Sequence, residues 1–309
     1  MRRIALLVLA AALVLAACTE QTGGKGGGEP RPATVDGIPA SAGTHKQKMD
    51  VGTFGHREFL LHVPSKVAGG KWEDGKPADA PPLVIALHGG LANMGKMEDL
   101  TGFDDLSDEH GFLVAYPDGF MTTWNAGDCC GAAKIGNIDD VGFLTKLIDK
   151  LTDAGLADPK RVYVTGFSNG AGMAYRMACE KPDKVAAIGV VEGALVTKCD
   201  PSRPVSAMIF HGTADRNVPF NGGGDRDFND KRPFPPVSKA VEFWRERAGL
   251  PEPRERVKAR GEGTDCTSTG KGDQGIAVTF CKIQGGTHNW PDEASPMLWD
   301  FFAAHPRKG

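Results

Sequence analysis

The segment VYVTGFSNGAGMAYRMACE, residues 162–180, decides the fold of this chain. Its first four residues are β-branched or aromatic, as expected of a buried strand. The residues from Ala171 onward are largely alanine, methionine and other good helix formers. Between these two parts Gly166 and Gly170 flank Ser168, and glycine is favoured where a strand and a helix meet at a sharp turn. The segment therefore predicts a strand, a tight turn that presents Ser168, and a helix.

Strand-like and helix-like segments alternate along the rest of the chain, from Lys46 onward. Continuous apolar strands that alternate with amphipathic helices indicate a mostly parallel sheet with helices on both faces. We therefore predict a single α/β domain over residues 45–309, with no internal repeat and no second domain. The predicted strands are 46–51, 57–65, 83–87, 111–116, 162–165, 185–191, 205–211 and 276–283, and the predicted helices are 99–109, one that starts at 139, 171–179, 237–248 and 294–304.

The composition is that of an ordinary globular protein. Hydrophobic residues make up 40% of the chain, enough for a large core. The 36 basic and 39 acidic residues nearly balance, and no basic stripe is present. A nucleic-acid partner is therefore not expected, and we favour a monomer.

The first residues have the features of an export signal. Met1–Arg3 is basic, and the apolar run Ile4–Leu15 is too short to span a bilayer comfortably. The run ends in LAAC, which resembles a bacterial lipobox, so we predict a signal peptide over 1–17 and lipid attachment to Cys18. The alternative is an ordinary secretory peptide. Residues 18–44 are rich in glycine, proline and threonine, which predicts a flexible tether. Both interpretations place the mature protein outside the cytoplasm, and the first anchors it in the cell envelope.

The remaining cysteines are expected to form disulfides, because an exported protein folds in an oxidising compartment. Cys266 and Cys281 flank a predicted hairpin, so we pair them. The spacings typical of zinc ligands are absent from the sequence, and we predict neither a metal nor a cofactor. The other cysteines are Cys179 with Cys199, which form a plausible second pair, and the adjacent Cys129 and Cys130, which form either a vicinal disulfide or two free thiols.

Ser168 has candidate catalytic partners further along the chain. A serine nucleophile needs a base, and the base needs a carboxylate that orients it. Asp215 follows the predicted strand 205–211, and His288 lies in a glycine loop after the predicted strand 276–283. The order Ser, Asp, His is that of the α/β-hydrolase fold. We predict that Ser168, Asp215 and His288 form a catalytic triad; the alternatives are an aspartate that caps a turn and an ordinary loop histidine.

An oxyanion hole requires backbone N–H groups that point at the reacting carbonyl. One is predicted at Asn169, directly after the nucleophile. The second is predicted in the segment LHGGLANM, at Gly90 or Leu91. His88 precedes these glycines at the end of its strand, so we expect it to brace the loop.

Six motifs occur in this order: LHGG, YPDGFMTTWNAGDCCG, NIDDVGF, VTGFSNGAGMAYRMACE, HGTADRNVPF and GGTHNWP. Together they resemble the polyhydroxybutyrate depolymerase and feruloyl esterase branch of carbohydrate esterase family one, over about 54–302. The resemblance implies an α/β-hydrolase fold, the triad given above, and a substrate cleft lined by Trp124 and Asn125. Trp124 could instead be a core residue. Trp290, beside the predicted base, could form the opposite aromatic wall or pack in the core. Asp139 is expected to cap its helix.

These observations predict an exported serine carboxylesterase that works through an acyl-enzyme. Its substrates would be short-chain, hydroxycinnamoyl or hydroxyalkanoate esters, small or oligomeric, with carbohydrate-linked esters among them. The only membrane contact expected is the N-terminal lipid anchor. The alternatives are an acyltransferase on the same fold, similar to the mycolyltransferases, and a surface-tethered binding protein without catalysis.

Overall fold

The computed structural model describes residues 32–52 and 55–308. The predicted signal peptide and Cys18 lie outside these residues. The predicted tether extends too far, because the chain is already folded well before residue 44. Thr34–Val35 pairs with Ile38–Pro39, and the Ile38 side chain is fully buried in the core. This short hairpin is ordered because its apolar side chains pack on the domain.

The strands of the described residues are bounded as follows: β1 (Thr34–Val35), β2 (Ile38–Pro39), β3 (Gly43–Asp50), β4 (His56–Val63), β5 (Trp72–Glu73), β6 (Lys76–Pro77), β7 (Leu83–Leu87), β8 (Leu113–Pro117), β9 (Val162–Phe167), β10 (Ala187–Val191), β11 (Ser206–Gly212), β12 (Glu255–Val257), β13 (Thr264–Ser268) and β14 (Val278–Ile283). Within the described residues, ten of them form one sheet in the order β12-β13-β14-β11-β10-β9-β7-β8-β4-β3. The strands from β14 to β8 run parallel, and antiparallel strands extend the sheet at both edges.

The helices are α1 (Ser65–Ala68), α2 (Met94–Thr101), α3 (Phe103–His110), α4 (Gly131–Ile135), α5 (Asp140–Asp153), α6 (Asn169–Glu180), α7 (Val237–Arg247) and α8 (Ala294–Ala304). Apolar residues of α5, α6 and α7 fill one core cluster, and those of α2, α3 and α8 fill another. This confirms the predicted mostly parallel sheet with helices on both faces. The predicted helix 99–109 is wrong, because the chain breaks at Gly102, where φ is +57°. No helix of 32–52 and 55–308 has the length and apolar character needed to cross a membrane.

The structure joins the cysteines in the predicted pairs. Cys179 is bonded to Cys199, and Cys266 is bonded to Cys281. The latter two residues face each other directly in the β13–β14 ladder. Of the two interpretations of the adjacent pair 129–130, the structure has the vicinal disulfide.

The parallel strands place the polar residues that follow them at one edge of the sheet. Ser168 follows β9, Glu192 follows β10, Asp215 lies shortly after β11, and His288 lies after β14. Ligands of open α/β sheets bind at the carboxyl ends of the strands. This edge is therefore the candidate site.

Candidate active site

Ser168 occupies a strained turn between β9 and α6. Its φ and ψ are +53° and −116°, a conformation that non-glycine residues rarely adopt. Its N–H donates to the carbonyl of Val191 at 2.9 Å, which ties the turn to the neighbouring strand. A Cβ on Gly166 would lie 2.5 Å from the carbonyl carbon of Gly170, and a Cβ on Gly170 would lie 2.2 Å from the carbonyl oxygen of Leu87. Both glycines are therefore required for this close packing, and the predicted strand–turn–helix unit is confirmed.

Asp215 and His288 form a hydrogen-bonded pair. His288 Nδ1 donates to Asp215 Oδ2 at 2.8 Å. The other carboxylate oxygen accepts the backbone N–H groups of Asn217, at 2.7 Å, and Val218, at 2.9 Å. Burial by itself would raise the pKa of Asp215, but hydrogen bonds from the surrounding side chains and from the backbone hold it well below its usual range. The Asp215 carboxylate therefore stays ionised.

The pair lies beside the strained turn. The ring of Phe167, the residue before Ser168, is 4.9 Å from the ring of His288 between centroids. A cavity of about 160 Å³ opens at Ser168, and it is lined on another side by Asn217 and Val218, which follow Asp215. The structure thus brings the three residues of the predicted triad to the same edge of the sheet.

His88 braces the loop after β7, as predicted. Its Nδ1 donates to the carbonyl of Gly89 at 2.7 Å, and its Nε2 accepts the N–H of Gly119 at 2.8 Å. These two bonds define the tautomer of the ring. Burial lowers the pKa of His88, which favours the neutral form.

Of the two residues predicted to complete the oxyanion hole, the structure removes Leu91. Its N–H donates to the carbonyl of Thr122 at 2.9 Å, so this group is not free to bind a substrate oxygen. Gly90 lies close to the first residue of α6: a Cβ built on it would be 3.8 Å from the Cβ of Asn169. Gly90 and Asn169 remain the candidate donors.

Trp124 does not line a substrate cleft, and the expectation that it does is wrong. Its side chain is 0% exposed, and its indole N–H donates to the carbonyl of His88 at 2.9 Å. Its backbone exchanges two hydrogen bonds with the side-chain amide of Asn169, at 2.7 and 3.0 Å. Trp124 is therefore a core residue that positions the start of α6.

Asn125 and Trp290, the other two predicted substrate contacts, are also buried. The Asn125 side-chain amide donates to the carbonyl of Ile138 at 3.0 Å. The indole N–H of Trp290 donates to Ser295 Oγ at 3.0 Å, and its ring packs edge-on against Phe103. Both predictions are wrong, because packing and internal hydrogen bonds already occupy these side chains.

An ion pair that sequence reasoning missed supports the loop after β8. Arg57 lies 2.9 Å from the buried carboxylate of Asp140 and donates to the carbonyl of Asp118 at 2.7 Å. Asp140 also accepts the N–H of Asn125 at 2.8 Å. The preceding residue, Asp139, caps α5 through the N–H of Gly142, as predicted. The local sequence pattern does not distinguish the role of Asp139 from that of Asp140.

Two further polar residues at the site, Glu192 and His211, are fully buried. Sequence reasoning missed both. A signal was nevertheless available: Glu192 directly follows the apolar strand β10, and His211 ends the apolar part of β11. Polar residues at the carboxyl ends of parallel strands lie where the site forms.

The strained serine turn and the hydrogen-bonded Asp–His pair at the carboxyl edge of this sheet define an α/β-hydrolase. Residues 73–222 match the family described as esterase PHB depolymerase. NocK of Nocardia uniformis subsp. tsuyamanensis, a protein named as an esterase, is 31% identical over 239 residues, which cover 72% of this chain and 70% of NocK. The chain belongs to the esterase PHB depolymerase family, and it is a carboxylester hydrolase.

Other similar proteins include feruloyl esterase B of Piromyces equi, which is 30% identical over 260 residues. That alignment covers 79% of this chain but only 44% of feruloyl esterase B, so the chain spans less than half the length of this relative. The solved structure of an acetyl xylan esterase from Aspergillus awamori superposes with a TM-score of 0.60, at 16% identity, over 84% of this chain and 99% of that one. At this identity the likeness concerns the fold.

Proposed function

We propose that this hydrolase cleaves esters with Ser168 as the nucleophile, His288 as the general base and Asp215 as the carboxylate that orients the base. The main support is the 2.8 Å hydrogen bond between His288 Nδ1 and Asp215, beside the strained turn of Ser168. Since Nδ1–H points at Asp215, Nε2 is the nitrogen left to accept a proton. Hydrolysis rates of Ser168 and Asp215 variants test these roles.

The proposed reaction has two halves. Ser168 Oγ bonds to the ester carbonyl carbon while His288 Nε2 takes the hydroxyl proton. The bond to the alcohol then breaks, the alcohol leaves with that proton, and the acyl group remains on Ser168. A water molecule attacks the acyl-enzyme in the same way, and the free acid is released. The N–H groups of Asn169 and Gly90 are the proposed donors to the oxyanion in both halves.

Two spaces of different size lie near the strained turn, one at Ser168 and one at the preceding residue, Phe167. The cavity of about 160 Å³ has apolar walls formed by Ala194, Val196, Val218 and Phe234, with the vicinal disulfide at its side. A groove of about 400 Å³ follows the loop after β7 and ends at Phe167. Pockets for whole drug-sized ligands measure roughly 300–1,000 Å³. We therefore assign the small cavity to the acyl group and the groove to the alcohol.

The proposed substrates are short acyl esters, with acetyl esters of carbohydrate as the leading candidate. Hydroxycinnamoyl esters are the second candidate, which the similarity to feruloyl esterase B favours. Turnover of acetylated xylan and of methyl ferulate separates the two. Analysis of the products for transferred acyl groups tests whether water is the acceptor.

Enlarging the side chain at Val196 should shorten the acyl chain that the enzyme accepts. Val196 is buried in the wall of the small cavity, so Val196→Phe fills the space that a longer acyl chain needs. One methylene in an apolar pocket changes kcat/KM by about 10-fold or more. We expect Val196→Phe to lower kcat/KM by about 10-fold or more on 4-nitrophenyl butyrate and by much less on 4-nitrophenyl acetate.

Val257→Phe, on the edge strand β12, serves as the control for this experiment and should retain the wild-type ratio of the two rates. An equal loss on both esters in Val196→Phe would refute the assignment of the acyl cavity.

We also propose that the protein is exported and anchored by lipid on Cys18. The three disulfides of the described residues fit an oxidising compartment. Cys18→Ser should abolish incorporation of labelled palmitate and move the protein from the membrane fraction to the soluble exported fraction. Thr19→Ser, one residue away, should behave as wild type. Membrane retention of an unlabelled Cys18→Ser protein would contradict lipid anchoring.

A further inference from the structure

Glu192 lies between the strand that carries the nucleophile and the strand that carries the acid. It follows β10, which pairs with β9 on one side and with β11 on the other. Its side chain is 0% exposed, and its φ of +51° is unusual for a non-glycine residue. Glu192 Oε1 accepts the N–H of Gly212 at 2.8 Å. A buried carboxyl group in a strained backbone position requires an explanation.

The second carboxyl oxygen of Glu192, Oε2, has a neighbouring atom in common with Asp215. It lies 3.4 Å from His211 Nε2, which is also 3.4 Å from Asp215 Oδ2. His211 Nε2 is 2.8 Å from the carbonyl of Val218, which can only accept, so the ring donates its Nε2–H there. Among the described residues, His211 Nδ1 is buried without a hydrogen-bond partner.

The carboxyl groups of Glu192 and Asp215 are both buried and lie within 4.8 Å of each other, so they do not ionise together. Asp215 accepts hydrogen bonds from two backbone N–H groups and from His288, so it is the better place for the negative charge. Glu192 accepts from one backbone N–H only, and by ordinary hydrogen bonding its Oε2 has no partner among the described residues. When Glu192 Oε2 carries a proton, its O–H can donate a hydrogen bond to the carboxylate of Asp215.

We propose that Glu192 is a neutral carboxylic acid that donates a hydrogen bond to Asp215 and so holds this carboxylate in the orientation that His288 requires. Glu192 is then a positioning residue, one step behind the triad. The proposal rests on the roles of Asp215 and His288 in the proposed function. It also explains why the carboxylate of Asp215 tolerates burial beside a second acid.

Electrostatics agree with this geometry. Burial raises the pKa of Glu192 to about 10, and the charge of Asp215 acts in the same direction, against the N–H of Gly212. Within 32–52 and 55–308, the titratable groups beside Glu192 are His211 and Asp215, and His288 is hydrogen-bonded to Asp215. Above this pKa a second negative charge develops beside Asp215. Activity should therefore decline in alkaline solution as Glu192 loses its proton.

The test compares Glu192→Gln with Glu192→Met, with ethyl butyrate as substrate in a pH-stat between pH 6 and pH 10.5. Glutamine keeps a donor toward Asp215 and an acceptor for Gly212, so its kcat should stay within about threefold of wild type and its alkaline decline should be absent. Methionine has a similar volume but no donor, and a lost hydrogen bond to a charged group corresponds to about 10- to 100-fold in kcat. KM should change little in both variants. Glu246→Gln, exposed on α7, should match wild type.

Thermal unfolding gives a second readout that does not depend on catalysis. A carboxyl group whose pKa is raised by folding contributes full stability below its unfolded pKa, and that contribution is lost as the pH rises toward the folded pKa. Glutamine does not titrate, so Glu192→Gln lacks this loss. The melting temperature of the variant minus that of wild type should therefore increase steadily from pH 5 to pH 9.

The outcomes separate the inference from the function on which it rests. If the Ser168 and Asp215 variants lose activity while Glu192→Met keeps the wild-type rate and pH profile, the positioning role is refuted. If the Ser168 variant stays active, the proposed function fails, while the pH dependence of the melting temperature still tests the proton on Glu192.

The side chains of Glu192, His211 and Asp215 also have the donor set of a cation site, with ligand atoms within 4.8 Å of one another. Loss of activity on chelation, with recovery on adding a divalent ion, would show a cation in place of the proton and would overturn the proposal.

Discussion

Replacing Ser168 by alanine is expected to lower kcat for ester hydrolysis by about 10⁶-fold, because the members of a catalytic triad act as a unit. The variant removes only the hydroxyl oxygen. Alanine keeps the Cβ that already tolerates φ of +53°, so the turn should be retained. Rates on 4-nitrophenyl acetate, together with covalent labelling by a fluorophosphonate probe, measure the effect. The wild-type protein should be labelled on Ser168 and the variant should not.

Ser238→Ala provides a matched control for this experiment. Ser238 is an exposed serine on α7, outside the site, and its loss should leave both rate and labelling unchanged. Circular dichroism of each variant verifies the fold. A folded Ser168→Ala protein that hydrolyses esters at the wild-type rate would show that another residue is the nucleophile.

Replacing Asp215 by asparagine should lower kcat by about 10⁴-fold. Asparagine can still accept the N–H groups of Asn217 and Val218, so the loop after β11 should keep its form. Its amide, however, donates toward His288 Nδ1 where the carboxylate accepts. This reverses the tautomer of the imidazole, places the proton on Nε2 and removes the base. KM should change less than kcat, because Asp215 does not contact the substrate in the proposed mechanism.

Steady-state kinetics on short alkyl esters measure this effect, with Asp265→Asn on β13, outside the site, as the control. A loss of less than tenfold in folded Asp215→Asn would mean that His288 is oriented by another group. Because Glu192 is proposed to donate to Asp215, the double variant Asp215→Asn/Glu192→Met should lose little more than Asp215→Asn alone.

The parts of the site that could be predicted from the sequence are those with strong local signals. The strand, the turn and the helix around Ser168 follow from an apolar β-branched run, two glycines and a run of helix formers. Asp215 and His288 were identifiable because each follows an apolar strand, and parallel strands bring their carboxyl ends to one edge. The pairing of Cys266 with Cys281 followed from a short hairpin. In each case the interacting residues are close in the chain, or the fold class brings them together.

The predictions that failed concern how deeply a side chain is buried and which acceptor takes a given backbone N–H group. Trp124 and Trp290 are both buried, because Trp124 contacts His88 and Asn169 and Trp290 packs against Phe103, all of them distant in the chain. Leu91 follows the glycines of the predicted oxyanion loop, but the carbonyl of Thr122 takes its N–H. The hairpin at Ile38 has few apolar residues of its own, and its order comes from packing on the domain. No local pattern contains these contacts.

The sequence by itself determined the nucleophile turn, the order of the three catalytic candidates and the sheet edge at which they meet, because backbone geometry and strand direction follow from residues near in the chain. Only the tertiary structure decided which other polar groups are buried next to these three residues. Glu192 and Asp215 are 23 positions apart in the chain, and they come together because β10 lies beside β11 in the sheet. Whether a buried carboxyl group is charged depends on how many donors surround it, and that number is a property of the packed site.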